Sequence, residues 1–103
     1  MKHWHAQEDE FIFVIASDLT VHEGATTTQI GPGDVACFPA GAETGHFLEN
    51  QSEADVTHLV VGTRAQSDVI TFPDQARRLI FDHRTHVPTY QTLDGQPADP
   101  PKG

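Results

Sequence analysis

A chain of 103 residues has the length of one domain and leaves no room for a second. Lys and Arg number 6 against 15 Asp and Glu, a formal net charge of -9, so nucleic acid and anionic membrane surfaces are repelled and neither is an expected partner. With one cysteine, Cys37, no internal disulfide is available; no apolar run reaches the ~20 residues of a membrane helix, and the N-terminus lacks a signal-peptide core, so the expected location is the cytoplasm.

The chain opens on His3-Trp4-His5-Ala6-Gln7-Glu8-Asp9-Glu10, two histidines one residue apart followed by carboxylates. On an extended segment, residues i and i+2 project to one side, so both imidazoles reach a common point. Glu10, at the start of the next strand, turns back towards it across a tight connection. Imidazoles with a carboxylate suit a borderline divalent metal and leave positions open for water or substrate. Glu8 and Asp9 read as exposed loop acids, with Glu8 as the alternative ligand to Glu10. A further histidine from far along the chain should complete the set, and His46 is the best candidate.

From Glu10 to Ala16 the sequence predicts a strand buried on both faces, with Glu10, Ile12 and Val14 on one side and Phe11, Phe13 and Ile15 on the other. Trp4, pointing away from its flanking histidines, would join the two phenylalanines in an apolar outer face. A monomer of this size does not easily cover such a face, so a homodimer packed through the sheet is expected. Leu19 to His22 and Ala25 to Ile30 are the next strands, and Gly31-Pro32-Gly33-Asp34 is the strongest turn signal in the chain. Val35 to Phe38 reads as a short buried strand with Cys37 a small apolar core residue. His46 to Asn50 and Val56 to Val61 follow as strands, a spacing that predicts an all-β sandwich or barrel.

Beyond Arg64 the pattern loosens. Val69 to Phe72 reads as an edge strand stopped by Pro73, Gln75 to Phe81 as one or two helical turns, and Thr89 to Thr92 as an extended segment. The domain is expected to span 1–95, with a disordered, proline-rich tail over 96–103. Three residues are weaker site candidates: His58, to brace a ligand or shuttle a proton; Arg64, to meet a substrate anion at the mouth; and Tyr90, if it folds back. For each, a purely structural role is the competing reading. His22, His83 and His86 are read as surface groups.

His3-x-His5-x4-Glu10, then Gly33-x5-Pro39-x-Gly41 and His46-x3-Asn50, resemble the two motifs of the cupin superfamily. The likeness spans roughly His3 to Arg64, and the Phe-Pro-Ala-Gly, Gly-His and Val-Gly-Thr-Arg pieces resemble small single-domain bacterial cupins. It implies a double-stranded β-helix, or jelly-roll, barrel in which His3, His5, Glu10 and His46 converge on one divalent metal: Fe, Mn, Ni, Cu or Zn. Four residues separate Gly41 from His46 where the family has two. Only Met1 and Lys2 precede His3 where the family has further strands, so the C-terminal segment or a partner chain should fill the gap, or the chain is a shortened form of a longer product. A metalloenzyme acting on a small polar molecule, as a dioxygenase, isomerase or lyase, is the leading expectation. A non-catalytic small-molecule or metal-binding module, and a relic with an empty site, are the alternatives.

Overall fold

The computed structural model describes residues 1–85 and 87–102, so the surface reading of His86 lies outside the described residues. Ten strands carry the fold: β1 (Trp4–His5), β2 (Glu10–Ala16), β3 (Leu19–Glu23), β4 (Thr26–Ile30), β5 (Val35–Phe38), β6 (His46–Glu49), β7 (Thr57–Gly62), β8 (Ser67–Phe72), β9 (Arg77–Asp82) and β10 (Thr89–Thr92). The one helical element among the described residues is a 3-10 turn at Pro73–Gln75, and no helix is long and apolar enough to cross a membrane. The protein is all-β, a jelly-roll barrel.

Hydrogen bonding groups the strands as β5-β2-β7, β4-β3-β6 and β1-β8-β9-β10. The core forms where the first two sheets face each other. Ile12 and Val14 from β2, Leu19 and Val21 from β3 and Phe38 from β5 are buried there, with Ile30, Ala36, Leu48 and Val56 packed around them. Full burial of a side chain the size of Ile12 or Val14 stabilises the fold by about 1.5–3 kcal/mol. Gly33, at φ 87°, makes the reversal between β4 and β5; its N–H bonds the Val14 carbonyl at 2.8 Å, tying the turn to the centre of β2.

β2 alternates as its sequence requires, but only one face is covered. Phe11 and Phe13 are 37% exposed and Ile15 is 54% exposed, which corrects the expectation of burial on both sides. β5, expected to be buried, departs in the same way, with Val35 and Cys37 exposed and Phe38 alone buried; β7 is an edge strand exposed along its whole length. Trp4 leaves this face: it is partly buried and borders a cavity with His5 and His46.

The C-terminal half departs furthest from the sequence reading. β8 is an interior strand, paired with β1 on one side and β9 on the other, not an edge. The stretch expected to turn helically is β9, whose Arg77-Arg78-Leu79-Ile80-Phe81 pairs with β8 and β10 in register. A short segment with β-branched and aromatic residues takes the strand when two partners are available, because local propensity is weaker than a completed ladder. Within the stretch expected to be a disordered tail, the Gln96 carbonyl accepts from Thr92 N–H at 2.8 Å and Ala98 N–H donates to the Tyr90 carbonyl at 3.1 Å.

The N-terminal segment is held on both sides. His3 and His46 exchange backbone bonds of 3.1 and 2.9 Å, Trp4 and His5 pair with Thr71 and Ile70 of β8, and Ala6 N–H donates to the Val69 carbonyl at 2.9 Å. Gly41, at φ 77°, donates its N–H to the His5 carbonyl at 2.8 Å. The first residues thus bridge β6 to β8 and link two of the three sheets.

Candidate metal centre

Alternation along the bridged N-terminal segment puts the His3 and His5 rings on one side, as their spacing requires. Glu10 starts β2 on the inner face, between Phe38 of β5 and Gly62 of β7. His46 starts β6 and is 4% exposed. The structure brings the four predicted residues together. His3, His5 and Glu10 each offer a ligand atom within 4.8 Å of the others. His46 adjoins them: its Nε2 donates to Glu10 Oε1 at 3.1 Å, and its ring lies 4.6 Å from that of His3. Phe38 stacks on the His46 ring at 3.7 Å and 7°, which fixes its plane.

The outer nitrogens of two rings are already engaged. His3 Nδ1 lies 2.8 Å from the Met1 carbonyl, which only accepts, so this nitrogen carries the proton and Nε2 keeps its lone pair. His5 Nδ1 lies 2.7 Å from Asp68 Oδ2, and its Nε2 lies 3.9 Å from Glu10 Oε2. Burial lowers the pKa of His3, against the opposing pull of the Met1 carbonyl, and favours a neutral imidazole. The hydrogen bond from His46 lowers the pKa of Glu10 and outweighs its partial burial, which favours a carboxylate. Neutral imidazoles and an ionised carboxylate are the forms that ligate a divalent cation, so the donor set and its spacing fit such a metal.

Asp68, at the start of β8, is the residue the sequence reading missed. It is 3% exposed, and its Oδ1 also accepts from the N–H groups of Gln7 and Val69, at 2.8 and 2.9 Å. Its signal in the sequence is slight: one acid at the head of an apolar run. Glu8 is partly buried rather than exposed, 3.7 Å from the Asp68 side of the His5 ring and 4.0 Å from His83 Nε2. Asp9 is exposed and accepts from Ala40 N–H at 2.7 Å, fastening the β1–β2 connection to the loop before Gly41.

The weaker candidates lie apart from this cluster. His58 pairs with Val14, four residues along β2 from Glu10, or about 13 Å at strand rise, and is exposed. Tyr90 is on β10, three strand spacings from β1, about 14 Å, and its carbonyl bonds Ala98. Arg64 is exposed and follows Thr63, whose N–H and hydroxyl both bond the backbone of Asp9 at 3.0 Å. His22 and His83, read as surface groups, are partly buried; His22 stacks on Phe47 and donates to Glu49 at 2.8 Å. Asn50 organises the following turn, donating to the Ala54 carbonyl and accepting from Ser52.

Two cavities flank the cluster. One, of about 100 Å³, is bordered by Trp4, His5, Glu23, Phe38, Thr44 and His46. The other, of about 230 Å³, is bordered by Glu10, Phe11, Cys37, Phe38, Val61 and Thr63 and is largely apolar. Glu23 pairs directly with His46 across β3 and β6, so the two side chains leave the same face of the sheet. Among the described residues, no Lys or Arg lines either cavity.

The fold and the motifs have known counterparts. The structure superposes on a cupin-superfamily sugar phosphate isomerase from Silicibacter pomeroyi with a TM-score of 0.87 and 31% identity, over 96% of this chain and 62% of that one. It superposes on a proposed sugar phosphate isomerase from Acidithiobacillus ferrooxidans with a TM-score of 0.83 and 25% identity, again over 96% and 62%. The chain therefore spans under two thirds of the length of each. A comparison with curated proteins gives no match. Residues 2–62 match the family model described as the cupin domain, and the chain belongs to the cupin family.

Proposed function

We propose that this cupin holds one divalent metal on His3, His5, Glu10 and His46 and isomerises a small phosphorylated sugar. The observation that carries the reading is the meeting of His3, His5 and Glu10 ligand atoms within 4.8 Å, with His46 against Glu10. Of the three reaction types compatible with the motifs, isomerisation alone has support from the two structural relatives. A divalent cation bound there supplies Lewis acidity, polarising a substrate oxygen and acidifying the adjacent C–H. Fe, Mn, Ni, Cu and Zn all suit three imidazoles and a carboxylate, so availability sets occupancy.

The chain's own residues supply the rest. Isomerisation moves a proton between neighbouring carbons, which requires a base beside the ligands. Glu23 is the carboxylate we assign this role: it is exposed, lines the smaller cavity with His5 and His46 and, among the described residues, its side chain makes no hydrogen bond. Arg64, the exposed residue that follows Thr63 of the larger cavity's lining, is the basic group we propose for a substrate phosphate. The single cysteine fits a reducing compartment, and the cytoplasm is the proposed location.

Proton NMR of candidate sugar phosphates in deuterium oxide tests the reaction. The expected result is product formation with solvent deuterium at the isomerised carbon, lost in His46→Ala and reduced in kcat in Glu23→Gln. Binding without turnover across the series would instead support a non-catalytic binding module, the reading favoured by the apolar lining of the larger cavity.

A further inference from the structure

We infer that Asp68 is a positioning residue for the metal centre: by accepting the Nδ1 proton of His5 it fixes the imidazole tautomer and aims the Nε2 lone pair at the ligand cluster. The inference rests on the metal reading above but stands on its own geometry. Asp68 Oδ2 lies 2.7 Å from His5 Nδ1, while the opposite ring nitrogen is the one that faces Glu10. An ionised carboxylate only accepts, so the shared proton belongs to the ring nitrogen and Nε2 is left as the donor atom.

The carboxylate is held for this task. Its side chain is 2% exposed, and its other oxygen is occupied by the Gln7 and Val69 N–H groups. Among the described residues, no Lys or Arg forms an ion pair with it; its charged-type partner is His5. With Oδ1 fixed by two backbone N–H groups, Oδ2 is held opposite His5 Nδ1, and the imidazole takes its orientation from the carboxylate. Asp68 lies in β8, beyond the 2–62 stretch that matches the cupin domain, so the sheet added after the motifs reaches back to brace the first of them. His5, Glu8 and Asp68 also lie within 4.8 Å of one another, but the His5–Asp68 hydrogen bond uses the atoms a second cation would need.

Asp68→Asn is the decisive variant, because it keeps the shape and an acceptor for the backbone N–H groups. An amide N–H facing His5 turns Nδ1 into the acceptor and moves the ring proton to Nε2. Long-range nitrogen–proton NMR of the metal-free protein, at a pH where the ring is neutral, reads this directly. The wild type is expected to show His5 protonated on Nδ1 and Asp68→Asn to show it on Nε2, with thermal unfolding still cooperative. Zinc affinity should then fall about 10- to 100-fold in Asp68→Asn, and Asp68→Glu should recover part of it. His5 protonated on Nε2 in the wild type overturns the inference without any variant, as does unchanged zinc affinity in a folded Asp68→Asn. A wild type that binds no zinc while showing the Nδ1 tautomer contradicts the metal reading and upholds the positioning of His5.

Discussion

His3 and His46 lie far apart in sequence, yet they exchange backbone hydrogen bonds of 3.1 and 2.9 Å and bring their rings to 4.6 Å. Through this bridge a segment that begins two residues into the chain becomes part of the sheet system and not a frayed end. The backbone bridge and the imidazole are separable. His3→Ala removes the ring alone; His3→Pro removes the ring and the bridging N–H. The proline variant should be less stable than the alanine variant by about 1 kcal/mol or more, measured by urea unfolding in EDTA. Equal stabilities would show that the bridge contributes nothing.

Glu10 and not Glu8 is the predicted carboxylate ligand. Glu8 lies on the Asp68 side of the His5 ring, whereas Glu10 lies on the side of Nε2. Calorimetric titration with zinc should show at least a tenfold loss of affinity in Glu10→Gln and little change in Glu8→Gln. The reverse order would transfer the role to Glu8.

Acid should destabilise the metal-free protein through this cluster in two windows. Burial holds His3 below its ordinary value of 6.5. As pH falls from about 6.5 to the folded value, the unfolded chain takes up a proton that the folded chain refuses, and stability drops. For Glu10, held below 4.5 by His46, the contribution is present above 4.5 and is lost as pH falls through the folded value. The difference in Tm between wild type and His3→Gln should change across the upper window, and that between wild type and Glu10→Gln across the lower. A difference that stays constant through the window below 6.5 for His3→Gln, and through the window below 4.5 for Glu10→Gln, would contradict these assignments.

The exposed face of β5-β2-β7 is the surface proposed to pair with a second copy. Phe11, Phe13, Ile15, Val35, Leu59 and Val61 are between 37% and 54% exposed. Light scattering at micromolar concentration should give a dimer, and Phe13→Ser with Leu59→Ser should shift it to monomer while the fold survives. Only monomer in the wild type would remove this proposal. Ile12→Ala, on the covered face, should instead cost about 2–5 kcal/mol of stability.

Local chemistry made the first half of the site readable in the sequence. His3 and His5 share a side because strands alternate, and the second motif pointed to His46; Gly31 to Asp34 turned where Gly and Pro require it. What depended on pairing was hidden. Asp68 bonds His5 only because β1 lies beside β8, a neighbour relation that no short-range pattern encodes. β9 looked helical because its Arg-Arg-Leu-Ile-Phe run lacks alternation, and its two flanking strands decide the matter. Cys37 and Val35 were read as core because they are apolar, but the barrel covers only one face of β5.

Metal stoichiometry tests the central claim most directly. Elemental analysis of protein purified without a histidine tag and reconstituted with each divalent metal in turn should give one ion per chain for the wild type. The same treatment should give far less than one for His46→Ala and Glu10→Gln, with both variants folded. Substoichiometric metal in every wild-type preparation, or full occupancy in both variants, would contradict the assignment of His3, His5, Glu10 and His46 as the metal centre.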